Sequence, residues 1–244
     1  MIFTVDLHTH ILPAVDDGAQ GIDEAMLMLK TAYDNGTRHI VLTPHYLTGD
    51  SRSSGKSKAQ LTETYERFCA DASKVYPDLR LYLGAETFAV DNIDEVIDDG
   101  QLIAINNTKY ILLEFGFIDD VLRVAAVTDK LIRRGYVPII AHPERYKFIQ
   151  NNPREIVPFL KKGALLQINS TSLAGKSGDL AQDVALSFLE NEFVSVIASD
   201  AHSTSRRVPD LSDVYSFIFS EFSRDYAEYL FHNNPLAIIN GHMI

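Results

Sequence analysis

Short apolar runs that end on a histidine or an acid recur along this chain, and that recurrence limits what it can become. The first run, residues 2–5, leads into Asp6-Leu7-His8-Thr9-His10. Alternate residues of a strand share a face, so two imidazoles at i and i+2 can reach one metal ion. Alone, the pattern is weak, since a pair of histidines at a strand end is as readily structural or surface. It repeats, however: residues 39–43 are followed by Pro44-His45, residues 80–84 by Ala85-Glu86, and residues 110–113 by Glu114. Residues 137–141 deliver His142, and residues 193–198 deliver Ser199-Asp200-Ala201-His202. Only the run 164–168, which ends on Asn169, lacks a charged or imidazole terminus.

Amphipathic segments separate these runs. Ile22, Ala25, Met26, Leu29 and Tyr33 fall at helical spacing and stop at Asn35-Gly36. A long helix is predicted over 58–75, with Leu61, Tyr65, Phe68 and Ala72 on one face, and others over 121–134, 153–162, 179–190 and 211–231. Strands alternating with helices imply a parallel sheet. Seven such units suit a closed or nearly closed barrel, whose active site lies at the C-terminal ends of the strands, which is where the ligand-type residues cluster. An open, doubly wound sheet is the alternative. At 244 residues and 46% hydrophobic content the chain is expected to form one domain, 1–244.

The collected set is His8, His10, Asp17, His45, Glu86, Glu114, His142, Asp200 and His202. Imidazoles and carboxylates without thiolates suit Mn, Fe or Zn. Nine ligands exceed octahedral coordination, so two or three ions bridged by a carboxylate are expected. Such clusters activate water and clamp the oxygens of a displaced phosphoryl group. A net charge of −11 argues against a nucleic-acid partner. No run approaches the ~18 apolar residues of a membrane span, and no leader-like segment opens the chain, so a cytoplasmic protein without direct membrane insertion is expected. The single cysteine, Cys69, fits a reducing compartment.

Two other chemistries find no support. Gly55-Lys56-Ser57 invites a phosphate-loop reading, but Gly49 stands one position too early for that motif and no strand leads into it. The Ser-, Gly- and Lys-rich stretch 47–58 is therefore expected to be an exposed, mobile loop. A cysteine-dependent tyrosine phosphatase needs an arginine six positions after its nucleophile, where this chain has Val75 after Cys69. Cys69 lies within the predicted helix, where an inert thiol is expected.

Taken together, Asp6-Leu7-His8-Thr9-His10, Thr43-Pro44-His45, Gly84-Ala85-Glu86, Leu113-Glu114-Phe115, Ala141-His142-Pro143-Glu144-Arg145-Tyr146 and Ser199-Asp200-Ala201-His202 resemble the motifs of the polymerase and histidinol phosphatase (PHP) superfamily. With Val15-Asp16-Asp17-Gly18 and Asn233-Asn234-Pro235, the chain is more closely similar to the manganese-dependent protein-tyrosine phosphatases encoded with capsule and exopolysaccharide genes in Gram-positive bacteria. The resemblance implies an α/β fold, a distorted (β/α)7 barrel of the PHP type, with a trinuclear centre of Mn2+, Fe, Zn or Mg being possible in its place. It suggests that Glu86 bridges two ions, with His8, His10 and Asp200 on one and Glu114 and His142 on the other, while Asp17, His45 and His202 hold a third. It assigns Arg145 and Arg207 to the substrate phosphate. The family tends to carry a glycine before the second arginine, where this chain has Arg206-Arg207, so either Arg206 or Arg207 can serve.

The implied activity is hydrolysis of protein phosphotyrosine, on a membrane-associated bacterial tyrosine kinase that regulates polysaccharide export. Glu144 or a histidine of the third ion is left as the proton donor, and Tyr46, Phe88, Phe117 and Tyr146 as rings that could flank the substrate's phenyl group. The rivals are a small-molecule phosphatase of the histidinol phosphate kind, a nuclease of the same superfamily, which the acidic composition disfavours, and a non-catalytic phosphotyrosine-binding module.

Overall fold

The computed structural model describes residues 3–49 and 51–244; Ile2, which opens the first apolar run, lies outside them. The strands are β1 (Thr4–Thr9), β2 (Thr37–Leu42), β3 (His45–Tyr46), β4 (Arg80–Leu83), β5 (Glu86–Phe88), β6 (Tyr110–Glu114), β7 (Val137–Ala141), β8 (Leu165–Asn169) and β9 (Val196–Ala198). All their ladders are parallel. One sheet runs β1-β2-β4 and the other β3-β5-β6-β7-β8-β9.

Seven strand positions were expected, and two of them are split. The second breaks at Thr43-Pro44 into β2 and β3, because proline brings no N–H to a ladder. The third breaks at Gly84-Ala85 into β4 and β5, where a Cβ on Gly84 would stand 3.0 Å from Val41 Cγ1. Hydrogen bonds carry the sheet across both gaps: Thr43 N to Thr9 O (2.8 Å), Gly84 N to Leu42 O (2.9 Å) and Glu86 N to Pro44 O (3.1 Å). Beyond β9, Asp200 N donates to His8 O (3.0 Å) and His10 N to Ala201 O (2.8 Å). The last strand's continuation is thereby joined to the first. The architecture is the distorted α/β barrel type, with its irregularities at the ligand-bearing strand ends.

Alternation along the strands sorts side chains between two apolar clusters. In β6, Tyr110 and Leu112 pack with Ile139 and Ala141 of β7. Ile111 and Leu113 pack instead with Ile140, Leu166 and residues of the helix Val121–Arg133. Glu114 therefore shares the face of Leu112. Burying each fully covered aliphatic side chain, such as Leu112 or Ile139, contributes about 1.5–3 kcal/mol.

The helices Lys58–Val75 and Asp179–Glu190 occupy the predicted spans. Ser57 opens the first with a reciprocal capping box to Gln60, which gives Gly55-Lys56-Ser57 a structural role. The segment expected over 153–162 divides into a 3-10 turn, Pro153–Ile156, and a short helix, Val157–Lys161. That expected over 211–231 breaks at Ser223, which is extended and whose hydroxyl accepts from Tyr226 N to start a new helix. The stretch after Leu47 is more anchored than its composition implies: Arg52 O accepts from Asp17 N (3.0 Å) and Ser54 N donates to Val15 O (3.0 Å). Small polar residues leave the backbone free to pair with another loop, and a partner distant in sequence cannot be read locally.

Candidate metal centre

All nine expected ligand positions converge at one end of the parallel strands. His8 lies in β1 and His10 just beyond it; His45 opens β3, Glu86 opens β5 and Glu114 closes β6. His142 follows β7, Asp200 and His202 follow β9, and Asp17 comes from the loop after His10. Eight of the nine are buried, and Asp17 alone is exposed. His142 and Asp200 adopt left-handed backbone, φ +35° and +50°. Non-glycine residues held there cost on the order of 1–3 kcal/mol each, a strain that gathers at functional sites.

Three groups have ligand atoms mutually within 4.8 Å: His8, His10 and Asp200; His10, Asp17, His45 and His202; and His45, Glu86 and Glu114. The first has the expected membership, and the second adds His10 to the expected Asp17, His45 and His202. In the remaining group His45 stands where His142 was expected, while His142 Nε2 approaches Glu86 Oε1 at 2.7 Å. Glu86 is central, with Oε1 3.3 Å from His8 Nε2 and Oε2 2.8 Å from His45 Nδ1 and 3.4 Å from His10 Nε2.

The electrostatics fit cations. Burial, and then the neighbouring Glu86 carboxylate, push Glu114 up to about 8. Burial also opposes charge on Glu86 and Asp200, yet His8 and the other imidazoles hold both well below the usual carboxylate range. Burial lowers His142 to about 4, leaving a neutral imidazole with a lone pair to give. His45 Nδ1 and Glu86 Oε2, though 2.8 Å apart, are not aligned for a hydrogen bond, and with His142 Nδ1 and His202 Nε2 they are buried without a hydrogen-bond partner. Unsatisfied groups cost about 1–3 kcal/mol each in a dry interior, and divalent ions would satisfy the three that belong to the groups above. The donor set, all imidazole and carboxylate, matches Mn, Fe or Zn.

Beside the cluster opens a pocket of about 570 Å³ whose lining includes Asp17, Arg145, His202, Arg206 and Arg207. Arg207 Nη1 donates to Asp200 Oδ2 at 3.0 Å, and Arg145 Nη1 lies 3.5 Å from the same oxygen. Arg206 is exposed, its backbone N–H held by Ser203 Oγ. Of the aromatic candidates, Tyr146 is fully buried and Tyr46 nearly so, their hydroxyls donating to Ala141 O and Gln101 O. Phe117 remains open to solvent, with the Arg145 guanidinium 4.5 Å above its ring, and Phe88 is half-buried beside Arg52. Glu144 is fully buried; its Oε1 accepts from Asn169 N (3.0 Å), and burial raises it to about 7.

Four supporting residues escaped the sequence reading. Asp16 Oδ2 accepts from His10 Nδ1 (2.7 Å) and His45 N (3.0 Å), and Oδ1 from Gly18 N (3.0 Å). Gln167 Oε1 meets His8 Nδ1 at 2.9 Å, and its amide donates to Asn169 Oδ1, whose own amide donates to Asp200 Oδ2. These bonds fix ring orientation and tautomer, as outer partners of metal ligands do. Arg52 Nη1 stands 2.8 Å from both oxygens of Glu114. The doubled acid in Val15-Asp16-Asp17-Gly18 signalled Asp16, and period-two spacing from Asn169 signalled Gln167; nothing local signalled Arg52.

Comparison with known proteins gives the family and the fold. The family model described as capsular polysaccharide synthesis, CpsB/CapC, matches residues 4–240. The tyrosine-protein phosphatase YwqE of Bacillus subtilis is 33% identical over 237 residues, covering 97% of this chain and 92% of that protein. The putative tyrosine-protein phosphatase CapC of Staphylococcus aureus is 37% identical over 204 residues, 83% of this chain and 78% of that one. A crystal structure from work on YwqE and Streptococcus pneumoniae CpsB, described as unique metal-dependent tyrosine phosphatases, superposes with a TM-score of 0.91 at 31% identity, covering 98% of this chain and 96% of its own. A phosphotriesterase homology protein of Escherichia coli, at 11% identity and a TM-score of 0.63 over 96% and 97% of the two chains, shares the fold.

Proposed function

This chain belongs to the CpsB/CapC family of capsular polysaccharide synthesis, and we propose that it is a metal-dependent phosphatase of protein phosphotyrosine. The observation that carries the reading is the contact between the two halves of the site: Asp200, grouped with His8 and His10 as a metal ligand, also holds the Arg207 guanidinium. A phosphate bound between cluster and arginines would meet cations on both sides.

The ligands we propose are His8, His10, Asp17, His45, Glu86, Glu114, His142, Asp200 and His202, with Mn2+ as the resident ion. Bound divalent ions there would lower the pKa of a water and offset phosphate charge. The chain's own part is positioning. Arg207 and Arg145 offer planar forks to phosphate oxygens, and Asp200 keeps both in place. Arg207 is assigned to the phosphate ahead of Arg206 because its side chain turns toward the cluster. Phe117, under Arg145, offers an apolar face to the phenyl ring. The leaving phenol, with a pKa of about 10, needs less protonation than an alkoxide. Phosphoryl transfer depends mostly on such positioning and charge stabilisation.

The substrate we propose is a phosphotyrosine protein, specifically a membrane-associated bacterial tyrosine kinase of a capsule system, met in the cytoplasm. Among the described residues no helix is long and apolar enough to cross a membrane. Metal content measured alongside phosphate release from a phosphotyrosine peptide and from histidinol phosphate tests the reading. Metal-dependent release from the peptide supports it; release from histidinol phosphate alone overturns it in favour of a small-molecule phosphatase.

A further inference from the structure

The pocket beside the cluster has two tiers of positive charge. Arg145 and Arg207 form the inner tier, both within ion-pair reach of Asp200. Lys176 and Arg206 form an outer tier and are exposed. Among the described residues neither outer cation has a carboxylate within 4.0 Å. In a chain of net charge −11, the pocket lining carries four cations, Arg145, Lys176, Arg206 and Arg207, against the one carboxylate of Asp17, a local balance opposite in sign to the protein's own.

The rim is also preorganised. Lys176 N donates to Thr171 O (2.9 Å) and Gly175 N to Ser172 O (3.0 Å), in a turn where Gly175 takes φ +74°. Gln182 reaches back to Leu173 O (2.8 Å) and ties that turn to the helix Asp179–Glu190. In the second lining segment, Arg207 O accepts from both His202 N (2.9 Å) and Ser203 N (3.2 Å), and Ser203 Oγ accepts from Arg206 N (3.1 Å). Both cations therefore stand on fixed backbone. The pocket's volume, about 570 Å³, lies within the ~300–1,000 Å³ of sites that enclose ligands larger than one phosphorylated ring.

We propose that Lys176 and Arg206 form a subsite for a second anionic group next to the phosphotyrosine, so that the enzyme selects phosphotyrosines with acidic neighbours in the chain. The inference rests on the phosphotyrosine reading above and adds the substrate's flanking chemistry. Rim charges act through long-range attraction and weak pairing, which salt screens.

The test is kcat/KM of the metal-loaded enzyme on paired phosphotyrosine peptides, one with glutamates flanking the phosphotyrosine and one with glutamines, at low and high salt, beside an unflanked aryl phosphate. Wild type should favour the acidic peptide, and the preference should shrink as salt rises. Lys176→Ala should lower the acidic-to-neutral ratio about two- to five-fold, the scale of an exposed ion pair, and Lys176→Glu should lower it further. Both variants should keep wild-type turnover of the aryl phosphate. Arg206→Ala, read only as the ratio, should act in the same direction. Equal use of both peptides by wild type at low salt overturns the subsite, as does a preference that survives in Lys176→Glu combined with Arg206→Ala. An enzyme inactive on every phosphotyrosine peptide but active on other phosphate monoesters overturns the functional reading and the subsite with it.

Discussion

Replacing Asp16 by asparagine should damage a metal centre to which Asp16 contributes no ligand atom. Its side chain is fully covered, and its two oxygens accept three N–H groups: His10 Nδ1 and His45 N on Oδ2, and Gly18 N on Oδ1. An amide of the same shape has one accepting oxygen. If that oxygen faces the histidines, the amide nitrogen opposes Gly18 N–H, and a buried donor loses its partner at a cost of about 1–3 kcal/mol. The bond to His10 also loses its charge assistance, which roughly doubles the strength of such bonds. For a chain of this length each kcal/mol moves the melting temperature about 2–4 °C, so metal-free Asp16→Asn should melt about 2–12 °C below wild type. His10 Nε2, which faces His8, Glu86 and Asp200, would lose the anchor that fixes its tautomer. Loss of such an outer partner commonly lowers metal affinity about 10–100-fold. Calorimetric melting of the metal-free protein, followed by titration with Mn(II), measures both effects. A variant with wild-type melting temperature and wild-type Mn(II) affinity would refute the assignment of Asp16 as the residue that orients His10.

Chelation should abolish phosphatase activity and Mn(II) should restore it best, whereas thiol alkylation should leave activity intact, since burial pushes the Cys69 thiol up; a chelator-resistant, alkylation-sensitive enzyme contradicts this. Glu86→Gln keeps the side chain's shape while removing the charge shared by His8, His10, His45 and His142, so bound metal by elemental analysis should fall together with turnover. Arg145→Ala and Arg207→Ala should keep their metals and lose about 100- to 1000-fold in kcat on an unflanked aryl phosphate; a deficit in Arg206→Ala but not in Arg207→Ala would move the phosphate contact by one residue. Gly18→Ala would set its Cβ 2.0 Å from His10 O and 2.5 Å from His10 Cβ, so it should displace His10 and lower both solubility and metal content. Well-folded, fully metal-loaded Gly18→Ala protein would show that the loop yields without disturbing the ligand.

Alternation and spacing made much of this molecule legible before its structure. Because strand side chains repeat every two residues and parallel strands expose their C-terminal ends together, the terminal residues His8, Glu86, Glu114, His142 and Asp200 could be assigned to one place from their positions after apolar runs. The helix Lys58–Val75 was equally readable, since Leu61, Tyr65, Phe68 and Ala72 recur at helical spacing, while its Ser57 cap emerged only in the structure. Folding alone decided the rest, for reasons of distance in sequence. The breaks at Pro44 and Gly84 depend on how neighbouring strands continue across the gaps. His45 joins Glu86 and Glu114 because β3 pairs with β5 in register, which no local pattern specifies. Asp16 and Asp17 are adjacent acids with opposite tasks, one turned inward to His10 and the other exposed at the pocket, and only the path of their loop separates them. Arg52 meets Glu114 across 62 positions of chain, and Arg207 is distinguished from Arg206 by the direction in which each side chain leaves its turn. Periodicity fixes where a strand delivers its last residue; the contacts that aim a side chain come from segments brought together only when the chain folds.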